Sequence, residues 1–275
     1  MASEVVDHPY REFERAGWER AAGSYAASFE AATGLFAPAL LEAVQAGPQT
    51  VLLDVACGPG PVTALAAALG AQASGVDFSP AMIAEATRRN PALSFRVADA
   101  EALPFADRSF DAVVVNFGVH HFPFPQRALS EAYRVLRSGG RLAFTTWAAP
   151  SEHVIHRIVL EAVRGAGDAG AALPLPPGGP INENATCQRL LREAGFAAGS
   201  LHTETLHRRL PVESADRLVA LLESGTVRLS ATLRSQGPQQ RAAVLAAIEA
   251  AVAQYLSKEG LRIPFVAILA SASKL

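Results

Sequence analysis

Cysteine is almost missing from this chain, which carries two, Cys57 and Cys187, in 275 residues. Two thiols cannot build a disulfide framework or a cysteine zinc site, and no compact His-plus-carboxylate cluster suggests another metal centre. Long apolar runs are missing too: no stretch of about 18 apolar residues offers a membrane span, and no basic-then-apolar leader pattern opens the N-terminus. Charge of either sign is scarce and balanced, 24 Lys and Arg against 26 Asp and Glu. A net charge of -2 supplies no field for a nucleic acid. Arg88-Arg89 and Arg208-Arg209 are isolated pairs, suited to solvated edges. The default expectation is a cytoplasmic protein without nucleic-acid or membrane partners.

What is present is organised around Val51-Leu52-Leu53-Asp54-Val55-Ala56-Cys57-Gly58-Pro59-Gly60-Pro61. Apolar residues to Ala56 suit a strand covered on both faces. Gly58 and Gly60 permit a tight turn and leave no side chain between backbone and ligand. Pro61 sits where a helix begins, and the free N–H groups of that helix end face back over the turn. This is a nucleotide-type loop. A dinucleotide fingerprint would need glycine at the place of Thr63, which disfavours a nucleotide-dependent oxidoreductase. Cys57 stands beside a helix N-terminus that could lower its pKa, or simply fits the turn.

Strand and helix then alternate, as in a parallel sheet with crossover helices. The expected strands are Ala73 to Asp77, Ser94 to Ala98, Asp111 to Phe117 and Arg141 to Trp147. The strand Asp111 to Phe117 is rich in β-branched residues and therefore central. Ser79 caps a helix with Pro80 at its first position. Before the core, one helix is expected over 9–32, with Phe13, Trp18, Ala22, Tyr25 and Phe29 on one stripe, and a second from Phe36 to Gln45. After Trp147 come a helix from Glu152 to Arg164, a Gly/Pro-rich loop over 165–180 and a helix from Asn184. A polar, edge-like strand to Leu210, a helical span over 213–257 and a buried last strand from Ile263 to Ser271 complete the chain.

Four stretches extend the glycine loop: Gly75-Val76-Asp77-Phe78-Ser79-Pro80, Ala98-Asp99-Ala100-Glu101, Phe110 to Phe117 with His120-His121-Phe122, and Leu136 to Leu142. In this order and spacing they resemble class I methyltransferases that use S-adenosylmethionine (SAM), nearest the ubiquinone/menaquinone-biosynthesis (type 11) branch. Asp54-x-Ala56-x-Gly58-x-Gly60 stands where that family has D/E-x-G-x-G-x-G, with alanine for the first glycine. The resemblance implies a Rossmann-like three-layer α/β sandwich with a seven-stranded sheet, mostly parallel with the last strand antiparallel. Helical cap insertions would cover it. Residues 1–48 would form a helical lid, 49–147 the SAM-binding core, and 148–275 the rest of the sheet with cap insertions.

The resemblance also implies an activity: methyl transfer from SAM to the O, N or C atom of a small molecule, by a monomer or homodimer. A SAM-binding protein without transfer chemistry is the alternative. Backbone at Ala56, Gly58 and Gly60 would face the methionine end of SAM, with Asn116 nearby and Tyr25 facing it from the lid. Asp77 would accept both ribose hydroxyls. Asp99 would receive the adenine amino group, with Ala100 offering backbone contact and Phe78 lying on the ring. His121, then His120, are the candidate proton acceptors; a purely wall-shaping role is the other reading. The lid helix and the 165–180 loop are expected to move when the cofactor enters.

Overall fold

The computed structural model describes residues 8–25, 28–168 and 173–275. The chain opens with α1 (Pro9–Tyr25), α2 (Glu30–Gly34) and α3 (Ala37–Ala43). In place of the single helix expected over 9–32 stand α1 and α2, with Ser28 and Phe29 in a turn ahead of α2, and the buried stripe of α1 is rotated to Tyr10, Glu14, Gly17, Ala21 and Ala22. Gly17 accounts for the rotation. A Cβ there would stand 2.4 Å from the Val227 side chain, so α1 packs along its small-residue face. Trp18 and Tyr25 are thereby left to border a cleft.

The core alternates as expected: β1 (Val51–Val55), α4 (Pro61–Ala68), β2 (Gln72–Asp77), α5 (Pro80–Arg89), β3 (Ser94–Val97), β4 (Phe110–Asn116), α6 (Pro125–Val135) and β5 (Leu136–Trp147). Proline opens α4, α5 and α6, at a position whose missing N–H costs nothing. The Ser79 hydroxyl accepts the Met82 N–H at 3.3 Å, capping α5. β5 begins five residues before the expected Arg141. Leu136 already pairs with Phe110, and a register shift then brings Arg141 opposite Ala112.

The remainder supplies α7 (Val154–Ala166), α8 (Asn184–Glu193), β6 (His202–Val212), α9 (Ala215–Gly225), α10 (Arg228–Arg234), α11 (Pro238–Val252), β7 (Leu256–Ser257) and β8 (Gly260–Ser273). The span expected to be helical over 213–257 is three α-helices and a 3-10 turn at Ala253–Tyr255, and its end is strand: Ser257 pairs with Gly260 in a β7–β8 hairpin. Part of the expected 165–180 loop, residues 169–172, lies outside the described residues, as do 1–7 and 26–27 of the expected lid. No described helix is long and apolar enough to cross a membrane.

The strands run in the order β3-β2-β1-β4-β5-β8-β6, with β7 pairing only β8. β3 through β5 are mutually parallel, whereas β8 is antiparallel to both neighbours. The last strand is antiparallel, as expected, and β6 is the polar edge. Side chains of β4 alternate between two cores, Ala112 and Val114 on one face, Val113 and Val115 on the other. Helices α3, α7, α9 and α11 contribute to the first core, α6 and α8 to the second. The result is three layers, with β1 and β4 central and their carboxyl ends on one rim.

Candidate active site

A cleft of ≈ 990 Å³, counting the part open to solvent, lies at the carboxyl ends of β1, β2 and β4, with α1 along its edge. Its floor is the glycine loop. Ala56 and Gly58 both have left-handed backbone, at φ 57° and 53°. For alanine that conformation is strained, at about 1–2 kcal/mol. A Cβ at Gly58 would meet no protein atom within 4 Å, so its absence leaves room on the ligand side. Gly60 departs from expectation: it does not border the cleft. A Cβ there would collide with the Phe95 ring at 2.8 Å, so this glycine serves the close packing of the turn against β3.

Two buried carboxylates stand behind the loop. Asp77, at the end of β2, accepts the Gly58 N–H and the Ser79 N–H, each at 2.9 Å. It therefore anchors the loop and also helps cap α5, yet each oxygen keeps a further lone pair. Burial pushes its pKa up to about 6, against the pull of those two amides. Asp54 accepts the Thr63 hydroxyl at 2.7 Å through Oδ2, while its Oδ1 is buried without a hydrogen-bond partner. Burial raises it further, to about 7. Thr63, at the place of a dinucleotide loop's third glycine, is fully buried and committed to Asp54. Cys57 is not activated by the helix end: burial pushes its thiol well above the usual range.

At the far side Phe78, Asp99 and Ala100 border the cleft. Asp99 is already engaged, accepting Arg11 Nη1 at 2.5 Å and the Glu101 N–H at 2.9 Å. Arg11 reaches Glu101 as well, at 2.7 Å. At the other end, Asn116 donates to the Thr33 carbonyl and accepts the Thr145 hydroxyl at 2.8 Å. The Tyr25 hydroxyl lies 3.0 Å from Thr33 Oγ1. Tyr25 and Asn116 are thus tied together through α2.

The two histidines part company. His121 borders the cleft, its Nδ1 2.8 Å from Glu14 Oε2 and its ring edge-on to Trp18. His120 does not border it. Its Nδ1 lies 3.3 Å from Thr146 Oγ1, and desolvation pushes its pKa well below the ordinary value. The sequence had offered both; the turn at Val119–His121 sends consecutive side chains different ways. Arg11, Glu14 and Glu101 went unrecognised in the sequence. An acidic residue four after Tyr10 was the available signal for Glu14, masked by the stripe expected elsewhere.

A methyltransferase-domain family model matches residues 53–144, the span that builds this floor. Over that span the chain is similar to known methyltransferase domains. The chain is 43% identical over 116 residues to a demethylmenaquinone methyltransferase of Beutenbergia cavernae, covering 42% of this chain and 48% of that one. It is also 43% identical over 100 residues to a malonyl-[acyl-carrier protein] O-methyltransferase of Enterobacter lignolyticus, covering 36% of this chain and 40% of that one. The chain spans about half the length of the curated relatives it matches. In fold, it is similar to phosphoethanolamine N-methyltransferase 2 of Haemonchus contortus, solved with S-adenosylhomocysteine. The TM-score is 0.59 at 18% identity, over 98% of this chain and 61% of that one. The matched span supplies most of the cleft floor, while Arg11, Glu14, Trp18, Tyr25 and Thr33 reach it from outside that span.

Proposed function

We propose that this chain binds SAM in the cleft and transfers its methyl group to a small-molecule acceptor. The observation that carries the reading is the Asp77–Gly58 pair: a buried carboxylate that holds the glycine loop and still offers lone pairs to two ribose hydroxyls. The open space at Gly58 and the unpartnered Asp54 Oδ1 fit a ligand with polar and cationic groups at this end.

SAM supplies an electrophilic sulfonium methyl; the chain's residues place it and keep water away. Asp77 holds the ribose, Asp99 and Ala100 receive adenine, and Phe78 flanks the ring. Ala56 and Gly58 face the methionine end, with Asn116 and Tyr25 beside them. Trp18, Tyr25, Phe117 and Phe122 give the acceptor end of the cleft an aromatic wall, which suits a flat or apolar acceptor. His121 takes the acceptor's proton.

Calorimetry with SAM, S-adenosylhomocysteine and NADH tests this. Saturable one-to-one binding of the first two, and none of NADH, is expected. NADH binding without SAM binding would sink the reading.

A further inference from the structure

Glu14 is a carboxylate on the wrong face of its helix. It stands in the buried stripe of α1 between Tyr10 and Gly17, and 2% of it is exposed. An apolar residue would pack α1 without the cost of desolvating a charge. Glu14 instead meets His121, Oε2 to Nδ1 at 2.8 Å, on the border of the cleft. The same helix holds the imidazole on its edge with Trp18, ring centroids 5.0 Å apart and planes at 86°. Tyr10, one turn earlier, donates to the His120 carbonyl at 2.8 Å, pinning α1 to the turn that carries His121.

An ionised carboxylate against Nδ1 keeps the proton on that nitrogen, which leaves Nε2 as the lone-pair atom. We propose that Glu14 is the positioning residue for His121: it fixes the Nδ1–H tautomer, and α1 thereby completes the proton acceptor when docked on the core. The proposal rests on the methyltransferase reading and narrows its acceptors to those carrying a weakly acidic O–H or N–H. In the transfer, the acceptor atom forms its bond to the methyl carbon as the carbon–sulfur bond breaks, with that electron pair left on sulfur. The acceptor's proton passes to His121 Nε2, and the imidazolium is stabilised by Glu14. A helix that must be seated before the base is oriented couples proton removal to closure of the cleft.

Glu14 and His120 contact His121, and Asp77 of β2 feels its charge; Arg11, Asp99 and Glu101 line the same cleft, and Tyr10, bonded to the His120 carbonyl, is faced by Arg228 of α10. The test must therefore isolate Glu14. Imidazole nitrogen NMR of the 15N-labelled full chain with S-adenosylhomocysteine, across pH 5 to 9, does so, with His121→Gln identifying the signals. We expect His121 as the Nδ1–H tautomer in the wild type. Glu14→Gln should lower its proton affinity at least tenfold, and Glu14→Asp should restore much of it. An Nε2–H tautomer, or the same titration in Glu14→Gln, overturns the role of Glu14. If Glu14→Gln does not fold, the wild-type tautomer decides alone. Calorimetry on the same wild-type sample separates the two readings. Failure to bind S-adenosylhomocysteine counts against the methyltransferase assignment; binding with the wrong tautomer counts only against Glu14.

Discussion

Arg11 and Asp99, 88 residues apart, meet at 2.5 Å across the mouth of the cleft. The same guanidinium takes Glu101 at 2.7 Å, a residue whose other oxygen accepts the Phe124 N–H at 2.9 Å. One side chain of α1 is therefore joined to the Asp99 side of the cleft and, through Glu101, to the segment that leads into α6. Its own exposure is 18%, which makes these bonds stronger than surface pairs and weaker than fully buried ones.

Arg11→Ala should loosen α1 over a bound cofactor. Two charge-assisted bonds in a half-screened place are worth about 1–2 kcal/mol together, so dissociation of S-adenosylhomocysteine should quicken by about tenfold. Stopped-flow displacement reads this directly. Hydrogen exchange in α1 should rise in the variant and fall in the wild type when ligand is added. An unchanged dissociation rate would mean that α1 does not gate the cleft.

Asp77→Asn keeps the size of the side chain and one acceptor oxygen while removing the charge. Loss of charge-assisted bonds to ribose should weaken S-adenosylhomocysteine binding by roughly 2 kcal/mol, about thirtyfold. Asp77→Ala should in addition lower Tm, because the Gly58 and Ser79 amides lose their acceptor. The alanine variant should therefore lose both binding and stability. Calorimetry and thermal melts of the two variants make the comparison; equal affinities in wild type and Asp77→Asn would assign the carboxylate to the fold alone.

Binding should also depend on pH. Burial raises Asp77 to about 6 and Asp54 to about 7, from an ordinary 3.8. A folded-state pKa raised in this way favours the ligand-free fold at low pH, and that contribution is lost as pH rises through about 4 to 7. Ribose hydroxyls need the ionised carboxylate, so ligand affinity moves the opposite way and weakens as pH falls below about 6. Kd for S-adenosylhomocysteine between pH 5 and 8 should show this in the wild type and lose most of it in Asp77→Asn. A flat wild-type profile would contradict it.

Ala56 holds a left-handed backbone at φ 57° where a glycine would be relaxed. Ala56→Gly should therefore raise stability by about 0.5–1 kcal/mol, the relief of strain exceeding the entropy gained by the unfolded chain. Chemical denaturation settles the sign. A loss of stability would show that the Ala56 methyl, packed near Gly118, contributes more than its backbone costs.

The order of strands and helices was legible because it rests on local chemistry. Prolines at helix starts, Ser79 as a cap and the β-branched run of β4 each act within a few residues, and they located the glycine loop and its carboxylates. Asp77 and Asn116 could be named as candidates for the same reason, since a strand end at the rim is set by chain order. The packing of Gly60 was not legible because its neighbours, Phe95 and Ala86, come from β3 and α5. The rotation of α1 was hidden in the same way: Gly17 matters only because Val227 lies against it, 210 residues later in the chain. That contact decided which of two faces α1 buries, and with it which side chains reach the cleft. Arg11 on Asp99 and Glu14 on His121 are consequences of that docking. The sequence by itself determined a nucleotide-type loop within an α/β sheet. Tertiary packing alone decided which histidine borders the cleft and which carboxylate meets it.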